Sequence, residues 1–303
     1  MRTSVGLSTF AQNFRLMRKS DNERNRTSGN RKNSFKKGKP PKGSFAEKAH
    51  NFSSKKKSSQ PKQKADPNLI RLNKYIANAG ICSRREADTF IAAGNVTVNG
   101  KPVTEMGYKV KKTDDVRFDG RKLNPEKKEY VLLNKPKNFI ITTRDEKGRR
   151  TVMELISSAS NNRLYPVGRL DRNTTGLLMF TNDGDLAKKL THPKHGVRKI
   201  YHVHLDKNVS IADIRKIREG LTLEDGEVHV DEVDYVTGST KKEIGIEIHS
   251  GKNRIVRRIF EHLGYEVSKL DRVVFAGLTK KDLPRGHWRF LTEQEVINLG
   301  MIN

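Results

Sequence analysis

Between Leu16 and Leu69 the chain contains no Val, Ile or Leu, and that gap decides where a folded core can be built. A segment without branched aliphatic side chains cannot bury enough apolar area to offset the entropy of ordering it. Residues 1–66 are therefore predicted to be a disordered tail. They hold 18 Lys/Arg against 4 Asp/Glu, more than half of the +26 carried by all 303 residues. Runs such as Lys55-Lys56-Lys57 would attract phosphate without sequence preference and in a salt-sensitive way, or else simply keep the chain in solution.

The foldable remainder is basic too, so the chain points to a polyanionic partner, with nucleic acid ahead of an anionic membrane surface. No apolar run approaches the ~18–20 residues of a membrane helix, and no hydrophobic secretory segment follows Met1. A cytoplasmic protein with no membrane partner is expected. Cys82 is the single cysteine, which excludes an internal disulfide framework and a multi-cysteine zinc site and fits a reducing compartment.

From Leu69 the pattern becomes that of a folded domain, expected over residues 69–125. Leu72, Tyr75, Ile76 and Ala79 share one helical face before Gly80. Ser83-Arg84-Arg85-Glu86 has the spacing of a capping box and opens a second helix that ends near Gly94. Val96 and Val98 run into Asn99-Gly100, and Val116 and Phe118 into Asp119-Gly120, both hairpin signals. The helix pair gathers Arg71, Lys74, Arg84 and Arg85, which suits phosphate binding, although a solvated helix face has the same composition.

Residues 128–303 read as a mixed α+β domain. Strands are expected at 130–133, 139–143, 164–167, 176–181, 199–205, 229–236 and 244–249, and helices at 152–156, 185–190, 211–218, 254–262 and 293–299. Asn253 and Thr292 are the expected N-caps of the last two. Within Tyr165–Leu178 a single carboxylate, Asp171, stands between Arg169 and Arg172 in a glycine-bracketed loop joining two apolar strands. Neighbouring cations favour an ionised carboxylate, as a nucleophile or base beside a polyanion requires, yet a structural Arg–Asp turn would look alike. His202 and His204 share a strand face, but no Cys or carboxylate stands at ligand spacing, so they read as ordinary strand residues and no metal is expected. Gly251-Lys252-Asn253 lacks the earlier glycine and the Ser/Thr of a P-loop.

Two stretches carry a family resemblance. Arg71–Ile76, Ser83–Ala87 and Val96–Gly100 together resemble the S4 RNA-binding domain. Gly168-Arg169-Leu170-Asp171-Arg172-Asn173-Thr174-Thr175-Gly176-Leu177-Leu178 is similar to the signature of the RsuA/RluB/RluE/RluF family of ribosomal RNA pseudouridine synthases. That match extends through Phe180–Gly184, Asn134-Lys135-Pro136, Lys199–Val203 and Gly251–Arg258. The resemblance implies an S4-like domain followed by an α+β catalytic domain with a largely antiparallel sheet, and an isomerase that needs neither metal nor organic cofactor. It implies Asp171 as the catalytic carboxylate and Tyr201 as the residue that stacks on the flipped uridine. Leu270 would line the far side of the base, and Arg257 would pair with Asp171. On a helix Arg254 lies one turn from both Arg257 and Arg258, so spacing alone leaves open which of them faces the carboxylate. Arg254, Arg258, Arg169 and Arg172 are expected to contact RNA phosphates.

The implied partner is ribosomal RNA or a pre-ribosomal particle, with the RluB type and the large subunit favoured, acted on by a monomer. The rival from another class is a non-catalytic RNA-binding assembly factor on the same fold. A duplex-DNA binder is disfavoured because no DNA-reading motif is present.

Overall fold

The computed structural model describes residues 68–302, so the predicted tail lies outside the described residues. Its first unit contains β1 (Leu69–Arg71), α1 (Leu72–Asn78), α2 (Arg84–Ala92), β2 (Val96–Val98), β3 (Lys101–Pro102), β4 (Lys109–Lys111), β5 (Val116–Phe118) and β6 (Arg121–Lys122). Local chemistry sets the element ends. Ser83 caps α2 by accepting from the Glu86 amide, while the Glu86 carboxylate accepts from the Ser83 amide at 2.7 Å. Asn99-Gly100 (φ 49° and 79°) joins β2 to β3, and Asp119-Gly120 (φ 45° and 78°) joins β5 to β6. Positive φ at both central residues is the type I′ geometry these dipeptides favour. Leu72, Ile76, Ala87, Val96, Val110 and Val116 are fully buried in the unit's own core, with Cys82 among them as a free thiol.

The second unit follows as β7 (Tyr130–Lys135), α3 (Val152–Leu155), β8 (Tyr165–Val167), β9 (Thr175–Thr181), α4 (Gly184–Thr191), β10 (Lys199–Leu205) and α5 (Ile211–Glu219). It continues through β11 (Leu221–Leu223), β12 (Gly226–Val228), β13 (Glu232–Tyr235), β14 (Glu243–Ile248), α6 (Ile255–His262), β15 (Val267–Phe275), β16 (Leu278–Thr279), β17 (Trp288–Phe290) and α7 (Glu293–Gly300). Its main sheet runs β13-β14-β10-β15-β9-β7-β17, with β8 on β9 and β16 on β15. Only β9 and β15 pair in parallel, through Thr175↔Asp271 and Gly176↔Arg272, so the sheet is largely antiparallel.

Burial explains the sequence patterns. On β9, Leu177 and Met179 enter one core while Leu178 and Phe180 enter another, so the strand is apolar throughout. By contrast β14 alternates, with Ile244, Ile246 and Ile248 packed against Ile214, Ile217, Ile259 and Phe260 of α5 and α6. Its Glu243, Gly245 and Glu247 occupy the other face.

Three expectations are corrected. The run 139–143 forms only an isolated bridge, Ile140↔Thr151, rather than a strand. The strand β15, nine residues long, is invisible to apolar alternation because Lys269, Asp271 and Arg272 interrupt it. Arg254 (φ 47°), not Asn253, occupies the N-cap position of α6, and its side chain makes no capping bond. The two units meet through Lys74, whose ammonium lies 2.6 Å from Asp185 on α4, and the connecting Glu126 bridges them, its amide donating to the Asn78 carbonyl at 3.2 Å and its carboxylate accepting from Asn182 at 3.4 Å. Among the described residues no helix is long and apolar enough to cross a membrane.

Candidate active site

The loop between β8 and β9 carries Asp171 to the wall of a cavity of about 360 Å³. Tyr201, Leu270, Lys199, Arg254 and Arg272 share that wall. Alternation on β10 sends Tyr201 and Val203 inward, and antiparallel pairing sets Leu270 opposite Val203 and Arg272 opposite Tyr201. Tyr201 and Leu270 are both buried, so a planar ligand here would meet an aromatic ring and an aliphatic side chain rather than water.

Two cations face the carboxylate. Asp171 Oδ2 lies 3.8 Å from Arg257 Nε and 3.8 Å from Arg254 Nη1. These are ion-pair contacts too long for hydrogen bonds. Arg257 is 9% exposed, is anchored by donation from Nη1 to the Val267 carbonyl at 2.9 Å, and keeps its buried Nε without a hydrogen-bond partner. Burial, reinforced by Arg254, pushes Arg257 below the ordinary arginine range, and Asp171 opposes that shift. Arginine still remains a cation. The third residue of the trio turns away: Arg258 pairs with Asp225 at 3.0 Å.

The loop is held from beneath by a residue to which the sequence reading assigned no role. Lys135 is fully buried, and its ammonium donates to the carbonyls of Asp171 (3.2 Å), Arg172 (3.2 Å), Thr174 (2.9 Å) and Pro136 (3.2 Å). Burial brings its pKa down to about 8, helped by nearby Arg285 and opposed by Asp171. A lysine closing a strand of buried aliphatics is the available signal, since a buried ammonium must find several acceptors. The support continues through Arg285, which donates to Asn134 Oδ1 at 2.7 Å and grips Asp271 at 3.0 and 3.1 Å. Asp271 also binds Lys280 and accepts from the Thr175 hydroxyl at 2.9 Å.

Gly176 permits this arrangement. At φ 106°, a Cβ on it would stand 2.3 Å from the Arg272 carbonyl oxygen and 2.5 Å from the Arg272 amide nitrogen. The backbones of β9 and β15 therefore approach closely only because no side chain intervenes. Arg272 itself is 2% exposed, donates from Nε to the Leu177 carbonyl at 2.8 Å and lies over the Phe275 ring. Lys199 is brought down to about 8 by burial and by Arg272. Two desolvated cations thus line the floor of the cavity.

The other basic residues are dispersed. Arg169 is exposed and lines the cavity, whereas exposed Arg172 contributes its carbonyl to the Lys135 clasp. Arg71, Arg84 and Arg85 are exposed on the first unit, and Lys74 is engaged by Asp185. The one group of three metal-capable side chains among the described residues, His202, His204 and Glu243, lies on the face of β10 opposite Tyr201. A carboxylate beside a ring-sized, cation-rich cavity can attack an electrophilic carbon or remove a proton from a ligand drawn in by its negative charge.

Comparison with known proteins identifies the family. The RNA pseudouridylate synthase family model matches residues 129–262, and the S4 domain model matches residues 70–116. Ribosomal large subunit pseudouridine synthase B of Bacillus subtilis (strain 168) is 42% identical over 234 residues, 76% of this chain and 96% of the relative. Dual-specificity RNA pseudouridine synthase RluF of Escherichia coli (strain K12) is 38% identical, over 76% of this chain and 78% of the relative. A solved pseudouridylate synthase superposes with a TM-score of 0.54 at 27% identity, covering 76% of this chain and 99% of that one.

Proposed function

The chain belongs to the RsuA/RluB/RluE/RluF family of RNA pseudouridine synthases, and we infer that it isomerises a specific uridine of ribosomal RNA with Asp171 as the catalytic carboxylate. The observation that carries this reading is the convergence of Asp171, Tyr201, Leu270 and Arg254 on one cavity, with Arg257 set against the Asp171 carboxylate from outside its lining. Large-subunit RNA is the favoured substrate, consistent with the name of the Bacillus subtilis relative. The cytoplasm, where ribosomal RNA is made, is the expected compartment, and a monomer the expected form.

The reaction breaks the N1–C1′ bond of uridine and forms a C5–C1′ bond; the C5 proton leaves as the ring regains its conjugation, and N1 takes up a proton in its place. Nothing is added or lost. Because a stacked base hides its glycosidic carbon, the uridine must first be flipped into the cavity. There Tyr201 would stack on the ring against Leu270, and Asp171 would either attack C1′ or take a C2′ proton. Arg257, buried and anchored by Val267, would hold the carboxylate in place as charge shifts, with Arg254 on its more exposed side. The phenol of Tyr201 is the candidate acceptor of the C5 proton.

The domains would divide the work. Residues 69–125 would seat the enzyme on folded RNA through Arg71, Arg84 and Arg85, residues 128–303 would carry the chemistry, and the basic residues 1–66 would add phosphate contacts. Lys74 would contribute where it is not held by Asp185, while Arg169, Arg172, Arg254 and Arg258 would meet phosphates near the flipped nucleotide.

The test is pseudouridine mapping of ribosomal RNA from cells lacking the gene, complemented with wild type or with Asp171→Asn. One site should disappear on deletion and return with wild type alone, while purified Asp171→Asn still binds RNA. An unchanged profile in the deletion strain would sink the ribosomal assignment, and restoration by Asp171→Asn would favour the non-catalytic binding factor.

A further inference from the structure

We propose that His202, His204 and Glu243 form a binding site for one Zn²⁺ ion on the outer face of the sheet, behind Tyr201. The sequence holds no carboxylate at ligand spacing from the two histidines, but the sheet supplies one from a strand about forty residues away. His202 and His204 stand two apart on β10 and so share a face. Antiparallel register places Glu243 of β14 opposite His204 and Gly245 opposite His202. With no side chain at Gly245 to intervene, the Glu243 carboxylate leans across to the second imidazole.

The resulting distances suit a single small cation. Glu243 Oε2 lies 2.8 Å from His202 Nε2 and 3.7 Å from His204 Nε2, and one ligand atom from each of the three residues falls within 4.8 Å of the others. Tetrahedral zinc with bonds of ~2.0–2.1 Å keeps its ligands roughly 3.4 Å apart, so side-chain torsions alone can admit it. The imidazole rings are 4.5 Å apart, centroid to centroid, and tilted by 39°, close enough to converge and not stacked flat. On binding, His202 would carry its ring proton on Nδ1 and present the Nε2 lone pair, and the ion would replace the contact that Nε2 now makes with Glu243.

Nearby Asp271 is committed to Lys280, Arg285 and Thr175, so it does not complete the set. The three side chains are 24%, 30% and 23% exposed, which leaves a path for entry and a fourth position facing solvent. Two imidazoles with one carboxylate select zinc and its transition-metal neighbours over magnesium or calcium. A bound ion would cross-link β10 to β14 and stiffen the strand whose inner face presents Tyr201.

The test uses the full chain, stripped of metal and titrated with Zn²⁺ against a chromophoric chelator. Wild type should bind one equivalent, and His204→Gln, Glu243→Gln and the His202→Gln/His204→Gln double variant should each bind at least ~10-fold more weakly. Circular dichroism of the metal-free variants checks that each folds, and Zn²⁺ should raise the melting temperature of wild type but not of the double variant. Co²⁺ in place of Zn²⁺ should give the visible absorption of a low-symmetry nitrogen and oxygen site. Equal affinity in wild type and the double variant would place any binding on other histidines and overturn the site, as would failure of folded wild type to bind.

Discussion

Lys135 spends its charge on backbone rather than on a carboxylate, and that choice fixes the shape of the loop that bears Asp171. Replacing it by methionine keeps the volume and removes the donor shared by the carbonyls of Asp171, Arg172 and Thr174. Because misplacing a reacting group by an ångström costs about 100-fold, Lys135→Met should lower turnover by that order while RNA affinity holds, as single-turnover kinetics beside a binding titration would show. Unchanged turnover would mean that the loop keeps its shape without the clasp. Asp271 makes a complementary prediction in pH. Although burial works against it, Arg285 and Lys280 bring its pKa down to about 2. The folded value lies below the unfolded one, so the stabilisation is complete above about pH 4 and is lost as pH falls toward 2, amounting to about 2 kcal/mol. Urea unfolding should therefore show Asp271→Asn clearly weaker than wild type at pH 7 and the gap roughly halved at pH 3; a gap independent of pH would contradict the pairing. Neither residue is assigned a role by its sequence context. Asp171 is legible because it is the lone carboxylate in a long signature, whereas Lys135 matters chiefly through loop carbonyls 36 to 39 residues away and Asp271 through Lys280, Arg285 and Thr175, 9, 14 and 96 residues away, which only the fold brings together.

At the scale of elements, the contact between β9 and β15 joins the strand that follows Asp171 to the strand that bears Leu270. Their close approach rests on Gly176, where a methyl group would collide with the Arg272 backbone in a conformation already costly for an L residue. Gly176→Ala should cost about 3 kcal/mol or more in urea unfolding and should depress turnover through misregister of the two strands. A loss below about 1 kcal/mol would mean that the strands lie further apart than described. The capping box of α2 offers a milder comparison, since Ser83→Ala should cost about 1 kcal/mol with catalysis on short RNA unchanged. Elements whose signals are local are legible in the sequence: capping boxes, Asn-Gly and Asp-Gly turns, and the buried aliphatic runs of β7 and β9. The strand β15 is not, because its outward Lys269 and Asp271 and its buried Arg272 serve other strands and the cavity. Expected alternation fails where a strand supports a site, and the Arg254 cap, set at φ 47° with its side chain toward Asp171, departs from the expected Asn253 for the same reason.

For the whole molecule, charge and chemistry are separated along the chain. Lys74 of the first described unit pairs with Asp185 of the second, and the residues lining the cavity, Gly168 to Phe275, all belong to the second. The most concentrated positive charge in the sequence belongs to residues 1–66, with 18 Lys/Arg against 4 Asp/Glu. Phosphate contacts release counterions, so their number sets the slope of log affinity against log salt, while the chemistry proposed above rests on Asp171 and Tyr201. Deleting 1–66 should therefore weaken binding to long structured RNA and flatten its salt dependence, and leave single-turnover isomerisation of a short fragment within about threefold of the full chain, since no cavity group is removed. Filter binding over a salt series, run beside turnover on the fragment, separates the two quantities. An unchanged slope would remove the basic segment from the RNA interface, and a collapse of fragment turnover would require that segment to reach the cavity itself.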